Sequence, residues 1–236
     1  EMEGKELRLD FDGVYMNATV YVNGEKMGTH PYGYIPFSFD ITDKVKVGEE
    51  NVVAVKVDHK PPSSRWYSGS GIYRSVHLSV MDKVHVGLNG TKVETPDLKS
   101  DTKNVTTNIK TTVQNEGAEK ASVELTHNIF KKGTEESIGS VTTQAQEVEA
   151  GKSQVIEATT KAKSPSLWSP ENPALYTVRT EVKVGGKVVD TYDTEFGFRY
   201  FEMTTDKGAY LNGEKIKLKG VCMEYEERRI RRSCYS

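Results

Sequence analysis

Apolar residues in this chain recur at alternate positions in short runs broken by Gly, Asn, Pro and Asp, and no stretch keeps a helical period over three turns. Alternate side chains of a strand point to opposite faces, so a chain patterned this way buries its apolar half by stacking one sheet on another. The expected class is therefore all-β. Ala18 to Val22 runs into Asn23-Gly24, residue types that tolerate the positive φ of a type I′ turn, and Glu25 to Gly28 returns as its partner. Further strands are expected at Phe37 to Ile41, Asn51 to Val57 and Ser75 to Val80, separated by polar turns. Between the last two lies a different kind of segment, Asp58 to Tyr73, with Pro61-Pro62, several serines, Trp66 and two tyrosines, which reads as a long ordered loop.

From Lys83 the texture shifts to Val- and Thr-rich strands at Asn104 to Val113, Ala121 to Phe130, Gln154 to Ala162, Tyr176 to Val184 and Lys187 to Phe196. Gly185-Gly186 supplies a tight hairpin, and the spacing suits a second sandwich with a boundary near Met81 to Val84. The 236 residues allow this, since a domain takes about 150 residues on average. Asn212-Gly213 marks another hairpin between Ala209-Tyr210-Leu211 and Ile216 to Val221, and Glu224 to Arg232 is a dense charged run that reads as a solvated tail.

Charge excludes some partners. With 34 acidic against 32 basic residues the formal charge is -2, which gives no net pull toward nucleic acid or a membrane surface. Apolar runs such as Val52 to Val55 fall far short of the roughly 18 residues of a membrane span, and Glu1-Met2-Glu3-Gly4 does not open a signal peptide. Cys222 and Cys234 are too few for a disulfide framework and lack zinc-site spacing. The five histidines are scattered, so no metal is expected. Gly69-Ser70-Gly71-Ile72-Tyr73-Arg74 superficially resembles a dinucleotide loop but lacks the third glycine and the following helix, and no cofactor is expected. Three Asn-X-Thr sequons, at Asn17, Asn89 and Asn104, are close to the number that chance supplies.

Glu224 and Glu226 lie close in sequence, yet glycoside hydrolysis needs two carboxyl groups held about 5 to 9.5 Å apart across a sugar in a rigid pocket, which a charged tail does not build. Two aromatic segments stand above background. Arg65-Trp66-Tyr67 offers a cation, an indole and a phenol able to stack on a sugar face and bond its hydroxyls, although from composition alone Trp66 reads more readily as a plug of the loop onto its own sandwich. His30-Pro31-Tyr32-Gly33-Tyr34-Ile35-Pro36 reads more readily as a packed connection.

Several segments, in order, resemble glycoside hydrolase family 2, and most closely its β-galactosidases. They are Phe11-Asp12-Gly13-Val14, Tyr21-Val22-Asn23-Gly24, Phe39-Asp40-Ile41-Thr42, Arg65 through Arg74, Leu167 through Tyr176, Phe196-Gly197-Phe198-Arg199, and Leu211-Asn212-Gly213 through Lys219-Gly220-Val221. Together they cover nearly the whole chain to Met223. The resemblance implies a partial jelly-roll sugar-binding domain at 1–82, an immunoglobulin-like β-sandwich at 83–197, a lead-in to the first strand of a (β/α)8 barrel at 198–223, and a charged tail at 224–236. It also implies further strands ahead of the first sandwich and a catalytic barrel beyond this stretch, with the acid/base and nucleophilic glutamates on later barrel strands. No catalytic residue is carried over. Where a family member uses an aspartate for a sodium ion and the sugar, Ser64 and Arg65 stand here, and no metal is carried over.

The expected function is that of a non-catalytic N-terminal part of a retaining β-galactosidase-like hydrolase. Arg65 and Trp66 are its substrate-binding rim, a β-galactoside is the sugar partner of the parent, and the sandwiches support subunit contacts in a homo-oligomer. The alternative is a free-standing carbohydrate-binding or adhesion module.

Overall fold

The computed structural model describes residues 2–60 and 68–218, together with the backbone of 222–226 and 229–233. It has no α-helix among the described residues, only a single 3-10 turn at Thr42–Lys44, and the chain is all-β as its patterning predicts. The chain divides into two compact units, with the first boundary between Met81 and Asp82 and the second unit running to Leu218.

Up to Met81 the first unit holds eight strands among the described residues: β1 (Glu6–Phe11), β2 (Val14–Tyr15), β3 (Ala18–Val22), β4 (Glu25–His30), β5 (Phe37–Asp40), β6 (Val53–Val57), β7 (Gly71–Ile72) and β8 (Val76–Met81). They form antiparallel sheets in the orders β5-β1-β8 and β4-β3-β6, with β2 paired to β7. Leu7, Leu9 and Phe11 of β1 pack with Ala18, Val20 and Val22 of β3, Val14 and Ile41 in one core, so the two three-stranded sheets stack as a sandwich. Asn23 and Gly24 turn the β3–β4 hairpin at φ 52° and 84°, as their residue types require. The Asn23 amide also donates to the Lys44 carbonyl at 2.7 Å and to Asn51 at 2.8 Å, tying that turn to the next connection.

On the outer face, β1 carries Arg8 and Asp10. Partial burial pushes the Asp10 carboxyl upward, but hydrogen bonds from Arg8 (2.8 Å), Ser38 (2.6 Å) and Ser79 (2.5 Å) outweigh it and hold the carboxyl below its ordinary value. The inner face is less complete. Val80, Leu78 and Val76 of β8 stand opposite the buried Leu7, Leu9 and Phe11, hence on the core side, yet they are 43%, 48% and 41% exposed. An apolar row on a strand paired along one edge is a template for association. The 236-residue chain is accordingly expected to self-associate with rising concentration. Leu78→Lys should shift it toward monomer in sedimentation velocity, and an unchanged distribution would remove this face as the cause.

The second unit contains β9 (Val84–Glu94), β10 (Asn104–Asn115), β11 (Ala121–Lys131), β12 (Ser137–Thr142), β13 (Gln146–Val148), β14 (Lys152–Lys163), β15 (Tyr176–Val184) and β16 (Lys187–Phe196). Sheet β14-β10-β9 faces sheet β12-β11-β15-β16, which β13 joins through β11. The inward residues form two apolar clusters. One contains Val113, Leu125, Ile156 and Val182, and the other Ile109, Ile129, Tyr176, Val178 and Phe198. In strand order Thr111, His127 and Thr180 fall between them, and all three are fully buried. A small sheet follows, built from β17 (Phe201–Thr204), β18 (Gly208–Leu211) and β19 (Glu214–Lys215).

Two expectations are modified. The Asn212-Gly213 hairpin resumes at Glu214 rather than at Ile216, because a two-residue turn places Glu214 directly opposite Leu211. Tyr176 is buried, whereas Trp168 is only half-buried, lying under an arginine at the surface. The run read as a tail forms backbone strands β20 (Cys222–Glu226) and β21 (Arg229–Ser233), in a register that sets Glu224 opposite Arg231 and Glu226 opposite Arg229.

Candidate functional site

The corner between β1 and β3 gathers the aromatic segments of the first unit. Tyr15, at the end of β2, is buried, and its ring meets Tyr34 edge-on at 5.2 Å and His59 at 5.1 Å. Tyr34 in turn meets Tyr32 at 5.6 Å. Tyr73 closes the group from the other side. Its hydroxyl donates to the Gly33 carbonyl at 2.7 Å, its N–H donates to the Gly13 carbonyl at 3.3 Å, and Arg74 lies 5.4 Å over its ring. Burial pushes the Tyr73 phenol up from its ordinary value, partly offset by the Arg74 charge, so the group stays protonated and able to donate at neutral pH.

These contacts pin both ends of the Asp58 to Tyr73 segment. At its start, the Asp58 N–H donates to the Met16 carbonyl at 3.2 Å and the Asn17 side-chain amide donates to the Asp58 carbonyl at 3.0 Å. At its end, β7 pairs with β2 through Val14 with Ile72 and Tyr15 with Gly71. The neighbouring connection is drawn in by the Asn17 N–H, which donates to the Pro31 carbonyl at 3.1 Å. Arg65 and Trp66, the rim residues expected from the sequence, lie outside the described residues.

Gly33 is required by close approach. A Cβ there would sit 2.2 Å from the Tyr15 ring. Gly33→Ala is therefore expected to displace Tyr15 and cost the first unit about 1–3 kcal/mol, the usual range for overpacking. A urea midpoint unchanged from that of the parent chain would show that the ring moves aside freely.

In the sequence the 30–36 and 58–73 segments read as two separate features, the first as a packed connection. The structure joins them around Tyr15 and leaves Tyr32 and Tyr34 about half exposed. Tyr15 and His59 escape a reading from sequence because neither belongs to a motif; Gly13 before the short β2 is the only local hint.

Chemically, the cluster offers aromatic faces, which suit the C–H face of a sugar ring, and phenols that donate to and accept from hydroxyls. Of the nearby carboxylates, Asp12 approaches His77 at 3.3 Å and Asp58 approaches Lys60 at 3.7 Å. Among the described residues no group of three or more His, Cys, Asp or Glu side chains is arranged to hold a metal ion. Aromatic faces and phenols are the kinds of group a sugar-binding surface uses, while hydrolysis needs a facing carboxyl pair.

Comparison with known proteins places this corner in context. Residues 1–81 match the sugar binding domain model of glycosyl hydrolases family 2, and residues 91–199 match a second model of the same family. A β-galactosidase of Bacteroides ovatus is 42% identical over 224 residues, covering 94% of this chain and 26% of that protein. A putative β-glucuronidase of Formosa agariphila is 37% identical over 227 residues, covering 94% and 20%. Among solved structures, a glycosyl hydrolase family 2 member from Bacteroides cellulosilyticus superposes with a TM-score of 0.87 at 32% identity, covering 94% of this chain and 30% of that one. The chain thus spans about a quarter of the length of the curated relatives it matches.

Proposed function

This chain belongs to glycosyl hydrolase family 2, and on that premise we propose that it supplies the two N-terminal sandwiches of a retaining exo-β-glycosidase acting on terminal β-galactosides. In this reading residues 1–82 are the sugar-binding jelly roll, 83–197 the immunoglobulin-like sandwich, and 198–223 lead toward a catalytic barrel. The carboxyl pair that retaining hydrolysis needs, about 5 to 5.5 Å apart, belongs to the barrel. The sandwiches contribute one wall of the sugar pocket and contacts between subunits.

The observation that carries this is the pinned base of the 58–73 loop. Hydrogen bonds at Asp58 and Tyr73 and the ring contacts of Tyr15 fix both ends of the segment containing Arg65 and Trp66, inside the span that matches the sugar binding domain. The rings of Tyr15, Tyr34 and Tyr73 at the base of the segment are thereby held in place before a sugar arrives, so little ordering cost falls on these residues on binding. Galactose is favoured over glucuronate by the higher identity to the Bacteroides ovatus β-galactosidase. A glucuronide is the second reading, supported by the putative glucuronidase among the relatives.

The test is hydrolysis of chromogenic β-galactoside and β-glucuronide by the longer protein that carries this stretch and, in parallel, by the 236-residue chain. The longer protein is expected to turn over the galactoside and the chain alone neither substrate. Turnover by the chain that follows it through purification would refute the non-catalytic reading, and a longer protein cleaving only the glucuronide would transfer the assignment. Arg65→Ala in the longer protein is expected to lower kcat/KM about 10- to 100-fold, the loss of one charge-assisted hydrogen bond, without moving the melting temperature. Unchanged kinetics would take Arg65 out of the site.

A further inference from the structure

The second unit carries a surface whose chemistry the sugar-facing corner does not use. Arg199 is exposed, and its guanidinium lies 4.4 Å from the centre of the Trp168 ring and 5.5 Å from that of Phe201. Around it the surface is apolar. Phe201 is 48% exposed and Met203 71%, and because they alternate along β17 they share one face. The nearest carboxylate in sequence, Glu202, is taken by Lys99 at 2.5 Å. Among the described residues no carboxylate pairs with Arg199.

The platform is rigid. The Trp168 N–H donates to the Phe198 carbonyl at 2.8 Å, and the Asn212 side-chain amide donates to the Trp168 carbonyl at 3.0 Å. Trp168 also packs so closely over Gly197 that a Cβ there would lie 3.0 Å from the Trp168 Cβ. A guanidinium laid against two rings is attracted to their faces and keeps its edge N–H groups directed outward. Trp, Phe, Met and Arg are also the residue types enriched where proteins bury their strongest contacts, and Arg prefers to meet a carboxylate through two parallel bonds.

The path of the chain indicates what covers this surface. The Ile216 N–H donates to the Ala209 carbonyl, so the polypeptide leaves the second unit alongside β18, in the same small sheet whose β17 carries Phe201 and Met203. Whatever follows is tethered next to that face, at an effective concentration of about the millimolar range or above. The relatives are roughly four times as long as this span.

We infer that the Trp168, Arg199, Phe201 and Met203 surface is the seat of the polypeptide that follows in the longer protein, which places a carboxylate on the Arg199 guanidinium. This rests on the reading of the chain as part of a longer glycosidase. It adds the contact through which the second sandwich holds the catalytic body in place.

The experiment is hydrogen exchange at residues 199–204, compared between the 236-residue chain and the longer protein. The seat predicts exchange about tenfold or more slower in the longer protein, the protection expected from one net charge-assisted hydrogen bond. Arg199→Gln and Arg199→Ala should abolish that protection, and Arg199→Lys should restore part of it with a steeper dependence on salt. A purely structural role for the side chain would not produce the lysine rescue or the salt dependence. Equal exchange in the two proteins, or protection indifferent to all three variants, overturns the proposal. So does protection within the 236-residue chain that rises with its concentration, which would assign the face to a second copy. Hydrolysis by the wild-type longer protein separates the two readings. An inactive protein with protected residues refutes the glycosidase assignment and leaves the seat, whereas an active one without protection refutes the seat alone.

Discussion

Phe198→Ala is expected to destabilise the second unit by about 3–5 kcal/mol, the range for removing a fully enclosed phenylalanine from a core. The ring is 0% exposed, meets Tyr176 edge-on at 5.0 Å and Phe196 at 4.8 Å, and belongs to the cluster containing Leu98, Val105, Ile109, Ile129 and Val178. The site cannot easily collapse around the void. Tyr176 is held by the Ser166 N–H, which donates to its hydroxyl at 2.8 Å, and the Phe198 backbone is held by Trp168. Phe198→Leu should retain most of the stability. Urea midpoints of the chain and both variants measure this, and a loss below about 1 kcal/mol for alanine would mean that the neighbours refill the space.

Acidification is expected to weaken the same unit through His127. The side chain is fully buried between two apolar clusters; its Nδ1 lies 3.0 Å from the Thr180 hydroxyl, and its Nε2 has no hydrogen-bond partner among the described residues. Burial disfavours the charged ring and lowers its pKa from 6.5 to about 4. Between those values the unfolded chain takes up a proton that the folded chain refuses. Stability is therefore complete above about pH 6.5, falls as pH drops toward 4, and stops falling from this source below that. At about 1.4 kcal/mol per pKa unit, the loss is at most ~3.5 kcal/mol. Asp97 and Asp101 contribute in the same direction but lower on the scale. Hydrogen bonds led by the Thr106 hydroxyl for Asp97 and by the Asn104 N–H for Asp101 hold both below 3.8, so their stabilisation disappears as pH falls beneath the ordinary carboxylate range. His127→Leu removes the imidazole and should flatten the pH 6.5 to 4 limb, leaving the acid limb in place. Hydrogen exchange of β11 and β15 amides at pH 7 and pH 4, in urea, would show it. An equal fall in the leucine variant would assign the acid sensitivity elsewhere.

Both predictions concern residues whose identity is plain in the sequence but whose setting is not. Strand and hairpin positions followed from period-two runs joined by Asn23-Gly24 and Gly185-Gly186, because backbone sterics tie those residue types to tight turns. The turn-bounded reading passes over β1, although Leu7, Leu9 and Phe11 alternate cleanly, since Glu6, Arg8 and Asp10 give the segment the look of a solvated stretch. Only cross-strand partners such as Ser38 and Ser79 explain how those charges sit on a sheet. The candidate site was legible as two aromatic segments and not as one place. The contact of Tyr15 with Tyr34 and His59 depends on how three connections fold over one corner, which no local pattern encodes.

The central position of β1 also sets a timetable for the ribosome. Its first neighbour, β5, pairs Leu9 with Phe39, but its second, β8, pairs Leu7 with Val80, more than seventy positions later. At roughly 5–20 residues per second of synthesis, β1 has one bare edge for on the order of 4–15 s after it emerges. Through that interval the nascent sandwich is half a sheet with an open ladder. A slowed codon stretch between β5 and β8 would lengthen the exposure, and one placed just after Met81 would give the sheet time to close before the second sandwich arrives.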